Sequence, residues 1–417
     1  MAVIEEFSNI LRALSTSTEY YSAPPSGPPE QYPSLSNNEL ERLQQTVYGT
    51  IFGGKSAYSY MKLVGEPAPV TVNLPSPDEL SNKSLWSIDG SNKTLDYTAF
   101  HMMLSRSALV EYQYSTVPLP QHHSITTRDC SGLCIVDGNI FTDKVYMFSQ
   151  STAELKKVEN TSWIDIIRKA TEPLIVSYDS NTLDKKPSMH AMGWCNKFMQ
   201  TLELLSQYDV PVDKPGVVIR DGPIFPIYAS NVDIQKSLEH VLTWNNKLLI
   251  CSSKRISEST LFLEFLMNPD NAKMMEYYFP EQMISKSLLS KLPADYLLLR
   301  KILKPGQRTP FIEVFPHNQK SILNHNSDLI PICCYYMRKR HPNTIVRLEF
   351  PKKYLQSNNL EWAISCVAWQ HEIGSKVPHV QEFADRQCQV SSEVEILRKI
   401  TASKLAENML ETMEVYE

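Results

Sequence analysis

The chain has 417 residues, enough for two or three domains or one large elaborated domain. Hydrophobic residues make up 42% of it, enough to bury a core, and no apolar run reaches the roughly 18 residues that would read as a membrane-spanning helix. With 41 basic and 46 acidic residues the net charge is −5, which excludes a uniformly basic surface; any nucleic-acid contact must use a local groove or bound metal ions.

Eight cysteines without a secretory signal point to reduced thiols and a cytoplasmic protein. Residues 1–20 read as an amphipathic helix in which Glu5, Glu6 and Arg12 alternate with apolar positions. The run Pro24-Pro25-Ser26-Gly27-Pro28-Pro29 is a stiff linker. A second helix spans about Asn37 to Thr50, and residues 53–80, rich in Gly, Pro and Ser, read as irregular. Residues 1–80 thus form an N-terminal extension, and the core is expected to start near Ser81 and run to about residue 400.

Leu85 to Asp89 is the first core strand, closed by a turn at Gly90-Ser91-Asn92, with Thr94 to Thr98 returning. Phe100 to Val117 is apolar, and its period does not decide between helix and strand. Asp137-Gly138-Asn139 carries the chemistry of a tight hairpin turn. Met189 to Tyr208 has helical spacing and stops at Pro211 to Pro215. Val217 to Asp221 is a second acid-bearing strand, followed by a helix at Asn231 to Trp244 and a buried strand at Leu248 to Cys251. About residues 256–305 read as a helical insertion. Three strands follow at Phe311 to Phe315, Ile330 to Met337 and Thr344 to Phe350. Helices at Leu360 to Glu372 and His379 to Gln387 come next, and a last one runs from Ser392 to Met413, its end (401–417) lying beyond the core. This order describes an α/β protein with a mixed sheet flanked by helices.

Ile88-Asp89-Gly90 and Arg220-Asp221-Gly222 share one form, an acid where an apolar run stops. Two acids delivered to one place by two strands repel each other unless a cation sits between them. Oxygen-ligand sites for Mg²⁺ or Mn²⁺ are built this way, which points to metal-dependent phosphoryl transfer. Each acid also reads as a simple turn residue. Glu203, beside Leu202, Leu204 and Leu205 on a half-buried helix, needs a partner, either a metal or a salt bridge. Lys254, just past the Leu248 to Cys251 strand, reaches the same rim if that strand runs parallel to the acid strands; otherwise it is a solvated lysine. His122, His123, Cys130 and Cys134 form a nominal zinc set, but adjacent histidines diverge and a polar loop is the plainer reading. Cys333 and Cys334 read as core.

Together these residues resemble the NurA nucleases, partners of the HerA DNA translocase. Ile88-Asp89-Gly90-Ser91 is similar to that family's opening motif, and Ile219-Arg220-Asp221-Gly222-Pro223 to its second acidic strand. Ser253-Lys254, Arg347-Leu348-Glu349-Phe350-Pro351 and Gly374 through Val390, with Pro378 and Ala384, follow in the family's order over about residues 83–400. The resemblance implies an RNase H-like fold and a homodimer docked on a hexameric HerA-like ATPase. It implies Mn²⁺-dependent 5′–3′ exonuclease and endonuclease action on single- and double-stranded DNA during end processing in repair. Asp89, Glu203 and Asp221 would be metal ligands, with Glu111 in reserve for Glu203, around a pair of Mn²⁺ or Mg²⁺ ions. Lys254 would stabilise charge developing at the phosphate. One position departs: Asp385 stands where the family usually has a His after the Ala matched by Ala384. An Asp is itself a hard-metal ligand, so the site is retained in one reading. In the other the chain is a catalytically degenerate DNA-binding or assembly subunit.

Overall fold

The computed structural model describes residues 58–81, 83–96, 100–114, 121–136, 142–149, 154–155, 175–179, 187–253, 259–271, 274, 277–278, 295–392, 394–395 and 399. The two N-terminal helices, the proline linker and most of the last helix lie outside the described residues.

Strands β1 (Tyr58–Val64) and β2 (Val70–Thr71) come first, then a one-turn helix α1 (Pro77–Leu80). That short helix is held by a capping box between Ser76 and Glu79. Then come β3 (Ser84–Asp96), β4 (Phe100–Gln113), β5 (Gln121–Val136), β6 (Thr142–Ser149), β7 (Glu154–Leu155) and β8 (Ile175–Asp179). Helix α2 (Pro187–Ser206) leads to β9 (Gly216–Asp221), α3 (Asn231–Leu242) and β10 (Lys247–Ser253). The insertion supplies α4 (Leu261–Met267) and α5 (Asp295–Ile302). Last come β11 (Gln307–Arg308), β12 (Phe311–Pro316), α6 (Lys320–His325), β13 (Pro331–Met337), β14 (Ile345–Pro351), α7 (Leu360–Ile373) and α8 (His379–Cys388).

All the strands join one mixed sheet, in the order β1-β12-β13-β14-β10-β9-β3-β4-β5-β6-β8-β7, with β11 linking β13 to β2. From β5 through β4 to β3 the pairing is antiparallel; from β3 through β9 to β10 it is parallel. That sequence of directions is the RNase H-like arrangement expected above.

Two expectations are corrected. β3 does not turn at Gly90; its ladder to β4 is unbroken from Ser84 opposite Gln113 to Asp96 opposite His101. Alternation explains the difference: Trp86 and Ile88 fill one face while Leu85, Ser87 and Asp89 take the other, so the strand pattern simply continues past the glycine. The region read as irregular contains β1, which pairs antiparallel with β12, placing Met61 opposite Val314. Its flanking Gly and Pro residues hide a short edge strand whose one buried side chain is Met61. The sheet therefore takes in residues ahead of Ser81. The ambiguous Phe100 stretch is a strand, and the predicted Asp137 hairpin joins β5 to β6, whose Val136 and Asp143 are paired; the turn itself lies outside the described residues.

Helices cover both faces. Ser105 donates to the Cys195 carbonyl and Asn92 to Asn196 Oδ1, so α2 lies on the face of Gly90 and Asn92. Arg106, opposite Ser91, donates to the carbonyl of Gln389 just past α8, and His122 stacks on Phe383 of α8. So α8 lies on the Asp89 face. Helix α7 shares it, since His371 Nε2 meets Ser252 Oγ at 2.9 Å. The insertion packs on the α2 face at the other wing, where Asp295 accepts from Leu263 N (2.9 Å), Ser259 Oγ (2.6 Å) and Tyr335 OH (3.0 Å). Cys333 and Cys334 are buried, as expected of core thiols.

Candidate functional site

The sheet forks where the acids are. β3 and β9 are paired in parallel from Ser84 opposite Gly216 up to Ile88 opposite Arg220, and the pairing stops there. The next residues in that register are Asp89 and Asp221. Asp221 is still paired on its other side, with Ser252 of β10. Beyond this point β3 runs on with β4 alone, so a notch opens on its β9 side. In open α/β sheets ligands bind outside the carboxyl ends of parallel strands at such points.

Asp89 is 3% exposed, and its Oδ1 accepts the Gly90 N–H at 2.9 Å. Glu203, on α2 and 5% exposed, closes over the other face of β3. The contact is tight enough to dictate Gly90. A Cβ built there would lie 2.5 Å from Glu203 Oε1 and 2.7 Å from Met199 Cγ. Gly90 is thus required in this geometry by the close approach of a helix, not by a turn, and it is not among the glycines with positive φ. Gly222, after Asp221, does have φ +83° and turns the chain away from the notch.

From the opposite face α8 brings Asp385, which is exposed, and Cys388, which is buried. Burial first, then the negative charges of Asp89, Asp385 and Glu203, hold the Cys388 thiol above its ordinary range. On the β10 side burial pushes the Cys251 thiol up to about 12; Arg220 opposes this, while Glu349, Glu203 and Asp221 add to it. Glu203 acts on both thiols, Asp89 and Asp385 on Cys388, and Asp221 on Cys251. Lys254 lies outside the described residues. Its strand is parallel to β9, the condition under which it was expected to reach this rim.

The reserve acid is elsewhere. Glu111 pairs in register with Trp86, on the face opposite Asp89. It accepts from Ser84 Oγ at 2.6 Å and from Lys214 Nζ at 2.9 and 3.1 Å. Burial alone would raise its pKa; the Ser84 and Lys214 hydrogen bonds outweigh that and lower it. The zinc set does not assemble either. His122 and Cys130 are eight residues apart on a single strand, about 26 Å at the rise of an extended chain, and Cys134 is farther still. His122 instead sits in an aromatic cluster, 5.2 Å from the His379 ring; burial, then the charges of His379, Arg386 and His123, lower its pKa to about 4.

Sequence reasoning assigned no role to three residues that hold this rim. Arg220 is fully buried and donates through Nη2 to the carbonyls of Pro223 (2.6 Å) and Ile224 (2.9 Å). Glu349 accepts from Ile224 N at 2.8 Å, and its Oε1 lies 2.6 Å from Arg347 Nε, an ion pair without hydrogen-bond alignment. Together they fix the loop that leaves Asp221. The signal was present: Arg347 and Glu349 are two apart in an apolar strand, so they share a face and can pair.

Among the described residues no three His, Cys, Asp or Glu side chains close on one point as a ready-made cage. An oxygen-only set at the mouth of a notch still fits Mn²⁺ or Mg²⁺. Mg²⁺ in particular is held by one or two carboxylates, with water and substrate phosphate completing the shell.

The fold defines a class, an RNase H-like α/β domain with two acids next in register where its parallel strands diverge. The chain belongs to the NurA family: the NurA domain model matches residues 44–390. No curated protein sequence matches it. Among solved structures it is similar to the NurA nuclease from Sulfolobus solfataricus, at 9% identity and TM-score 0.42, over 89% of this chain and 97% of that one. It is also similar to a NurA with manganese, at 11% identity and TM-score 0.33, over 96% and 98% of the two chains. A NurA bound to dAMP and manganese aligns at 10% identity and TM-score 0.30, over 85% and 91%.

Proposed function

We propose that this protein is a metal-dependent DNA nuclease that hydrolyses phosphodiester bonds at the β3–β9 fork. The observation that carries the reading is the register: Asp89 and Asp221 come next to each other where two parallel strands part, with Glu203 pressed against Gly90. Two acids brought together at a strand fork oppose folding, and such groups are concentrated at functional sites.

Mn²⁺ or Mg²⁺, two ions in this reading, would supply charge neutralisation at the phosphate and a more acidic water when bound between Asp89, Asp221, Glu203 and Asp385. The chain's own part is positional. Asp89 is held by the Gly90 N–H and by an unbroken ladder to β4. Asp221 is held by the Arg220 and Glu349 clamp on its following loop. Lys254 would meet the scissile phosphate and stabilise charge that develops on it. The assembly we infer is a homodimer working with a HerA-like hexameric translocase in the cytoplasm, as a 5′–3′ exonuclease and endonuclease in DNA end processing. No helix among the described residues is long and apolar enough to cross a membrane.

The test is cleavage of end-labelled single- and double-stranded DNA with Mn²⁺, Mg²⁺ or EDTA, wild type beside Asp89→Ala. Metal-dependent cutting that disappears in the variant is the expected result. If the wild type cuts nothing in any metal, even with a HerA-type motor present, the chain is the non-catalytic subunit that Asp385 in place of a His also allows.

A further inference from the structure

On the α2 face the helices leave a gap. Helix α2 covers β3 to β5, the insertion covers β12 and β13, and between them β14 and the loop after Asp221 line a cavity of about 260 Å³. Its walls include Tyr58, Phe225, Ile227 and Leu261, and its floor holds Arg347 and Glu349. This is an aromatic and aliphatic slot with the Arg347–Glu349 ion pair at the bottom, apolar walls around a few polar groups as in small-molecule pockets.

Three features tie the slot to the fork. Pro223, two residues after Asp221, is part of its wall. The loop carrying Phe225 and Ile227 leans on α2, where Gln200 Oε1 accepts from Tyr228 N (2.7 Å) and Ala229 N (3.1 Å), one turn before Glu203. On the floor, Arg347 is opposite Ser253 in the β10–β14 ladder, and Ser252 is opposite Asp221 in the β9–β10 ladder. The Arg347 backbone is therefore two strands, about 10 Å, from that of Asp221, with the two side chains on opposite faces, so a strand joining them passes around the end of β9, where its pairing with β3 stops. At a rise of roughly 3.4 Å per nucleotide that path takes at least about three nucleotides of a DNA strand.

The guanidinium is positioned but not saturated. Glu349 takes its Nε side at 2.6 Å, and Nη1 has a long contact of 3.4 Å to Ser259 Oγ. Among the described residues nothing accepts from Nη2. Meanwhile Ile227 at the rim is 81% exposed, an aliphatic side chain left in water beside the opening. A group that would cover Ile227, stack against Phe225 and Tyr58, and present an anion to Arg347 is a nucleotide.

We propose that this slot is a substrate subsite seating one nucleotide of the DNA strand, at least about three positions from the bond cut at the fork. Its base lies against Tyr58 and Phe225, and its phosphate is bound by Arg347. The assignment deepens the nuclease reading and rests on it for the identity of the ligand. It makes the slot the element that sets register, so that a strand seated here presents a defined phosphate to Asp89 and Asp221.

The experiment measures binding of a fluorescent single-stranded DNA oligonucleotide to the full chain in EDTA, so that no cutting is needed. Wild type is compared with Phe225→Ala and with Ile227→Asp, the second on an exposed rim where folding is not at stake. Loss of base stacking in Phe225→Ala should weaken binding about tenfold. Ile227→Asp, which puts a like charge beside the phosphate, should weaken it several-fold. A matched set of oligonucleotides, each with one abasic position, should show one position whose loss hurts the wild type and has no further effect on Phe225→Ala. Unchanged binding in both variants overturns the subsite. So does a change in oligomeric mass with Ile227→Asp while DNA binding is untouched, because the slot would then be a protein contact. If the variants bind weakly but the wild type cuts nothing with Mn²⁺ or Mg²⁺, the subsite stands and the nuclease reading falls.

Discussion

Asp89 and Glu111 lie on neighbouring strands, three register positions apart, and each is 3% exposed. Their surroundings are opposite. Glu111 faces the α2 side and is met by Ser84 and the Lys214 ammonium. Asp89 faces α8, where the Cys388 thiol registers its charge together with those of Asp385 and Glu203. A buried acid given a lysine is part of the scaffold, and its removal is felt as lost stability. A buried acid set among other acids opposes folding and persists because a ligand needs it. The sequence offered Asp89 as a metal ligand and Glu111 as the reserve for Glu203, and the register separates the two: Glu111 pairs with Trp86 near the start of β3, while Asp89 sits where β9 leaves.

The widest separation should come from removing each acid in turn. Asp89→Ala should lower DNA cleavage by at least about 10²- to 10³-fold, the scale of losing one group that organises transition-state charge. Its thermal midpoint should hold or rise, since a like charge has gone. Glu111→Ala should do the reverse, losing midpoint while each folded molecule keeps its activity. Cleavage and thermal melts on the same two preparations decide it, and a drop in midpoint with full activity for Asp89→Ala would put Asp89 in the scaffold.

Gly90→Ala should come next, with activity about 10²-fold down, because small misplacements of catalytic groups cost that much. The added methyl would need the space of Glu203 Oε1 and Met199 Cγ. Trimming Glu203 should not restore the rate, whereas Met199→Ala should relieve part of the clash. If Gly90→Ala cleaves normally, Glu203 does not need its present position. The glycine also shows what was legible. Asp-Gly reads as a turn because turns are its commonest setting, and nothing local says that a helix more than a hundred residues later will press on that backbone. Helix α2 was found because its apolar positions repeat at helical spacing, and β9, β10 and the late strands because they are short apolar runs buried on both faces. β1 was not, since seven residues with one buried side chain give no period to read.

The scaffold side of the comparison can be tested through pH. Lys214→Met leaves Glu111 buried without its ammonium and should cost about 1–3 kcal/mol near neutral pH. The sign follows from the lowered Glu111 pKa. A depressed carboxylate stabilises the fold above its unfolded pKa of about 4.3, and that contribution is lost as pH falls through the lower folded value. The gap between wild type and Lys214→Met in denaturant melts should therefore be full at pH 7 and shrink below about pH 4. A gap that stays constant down to pH 3 would mean that the pair contributes packing and not charge.

The smallest expected effect tests whether the α8 acid belongs with Asp89 at all. Asp385 is exposed, and its Oδ2 accepts from Gln389 Nε2 at 3.5 Å. It lies on α8 three residues before Cys388, whose thiol also feels Asp89, and an exposed side chain on a helix end contributes less to an ion than a buried one on a strand. Asp385→His restores the residue type usual at that position in the resemblance described above. Carboxylates favour Mg²⁺ and Mn²⁺ alike, while imidazole favours the later transition metals. The substitution should thus leave overall cleavage within about tenfold and shift the ratio of Mn²⁺- to Mg²⁺-supported rates several-fold toward Mn²⁺. Asp385→Asn should lower both rates together, because charge is lost without a change of donor preference. If the metal ratio is the same in wild type, Asp385→His and Asp385→Asn, then Asp385 does not touch the ion, and the site consists of the strand acids and Glu203 alone.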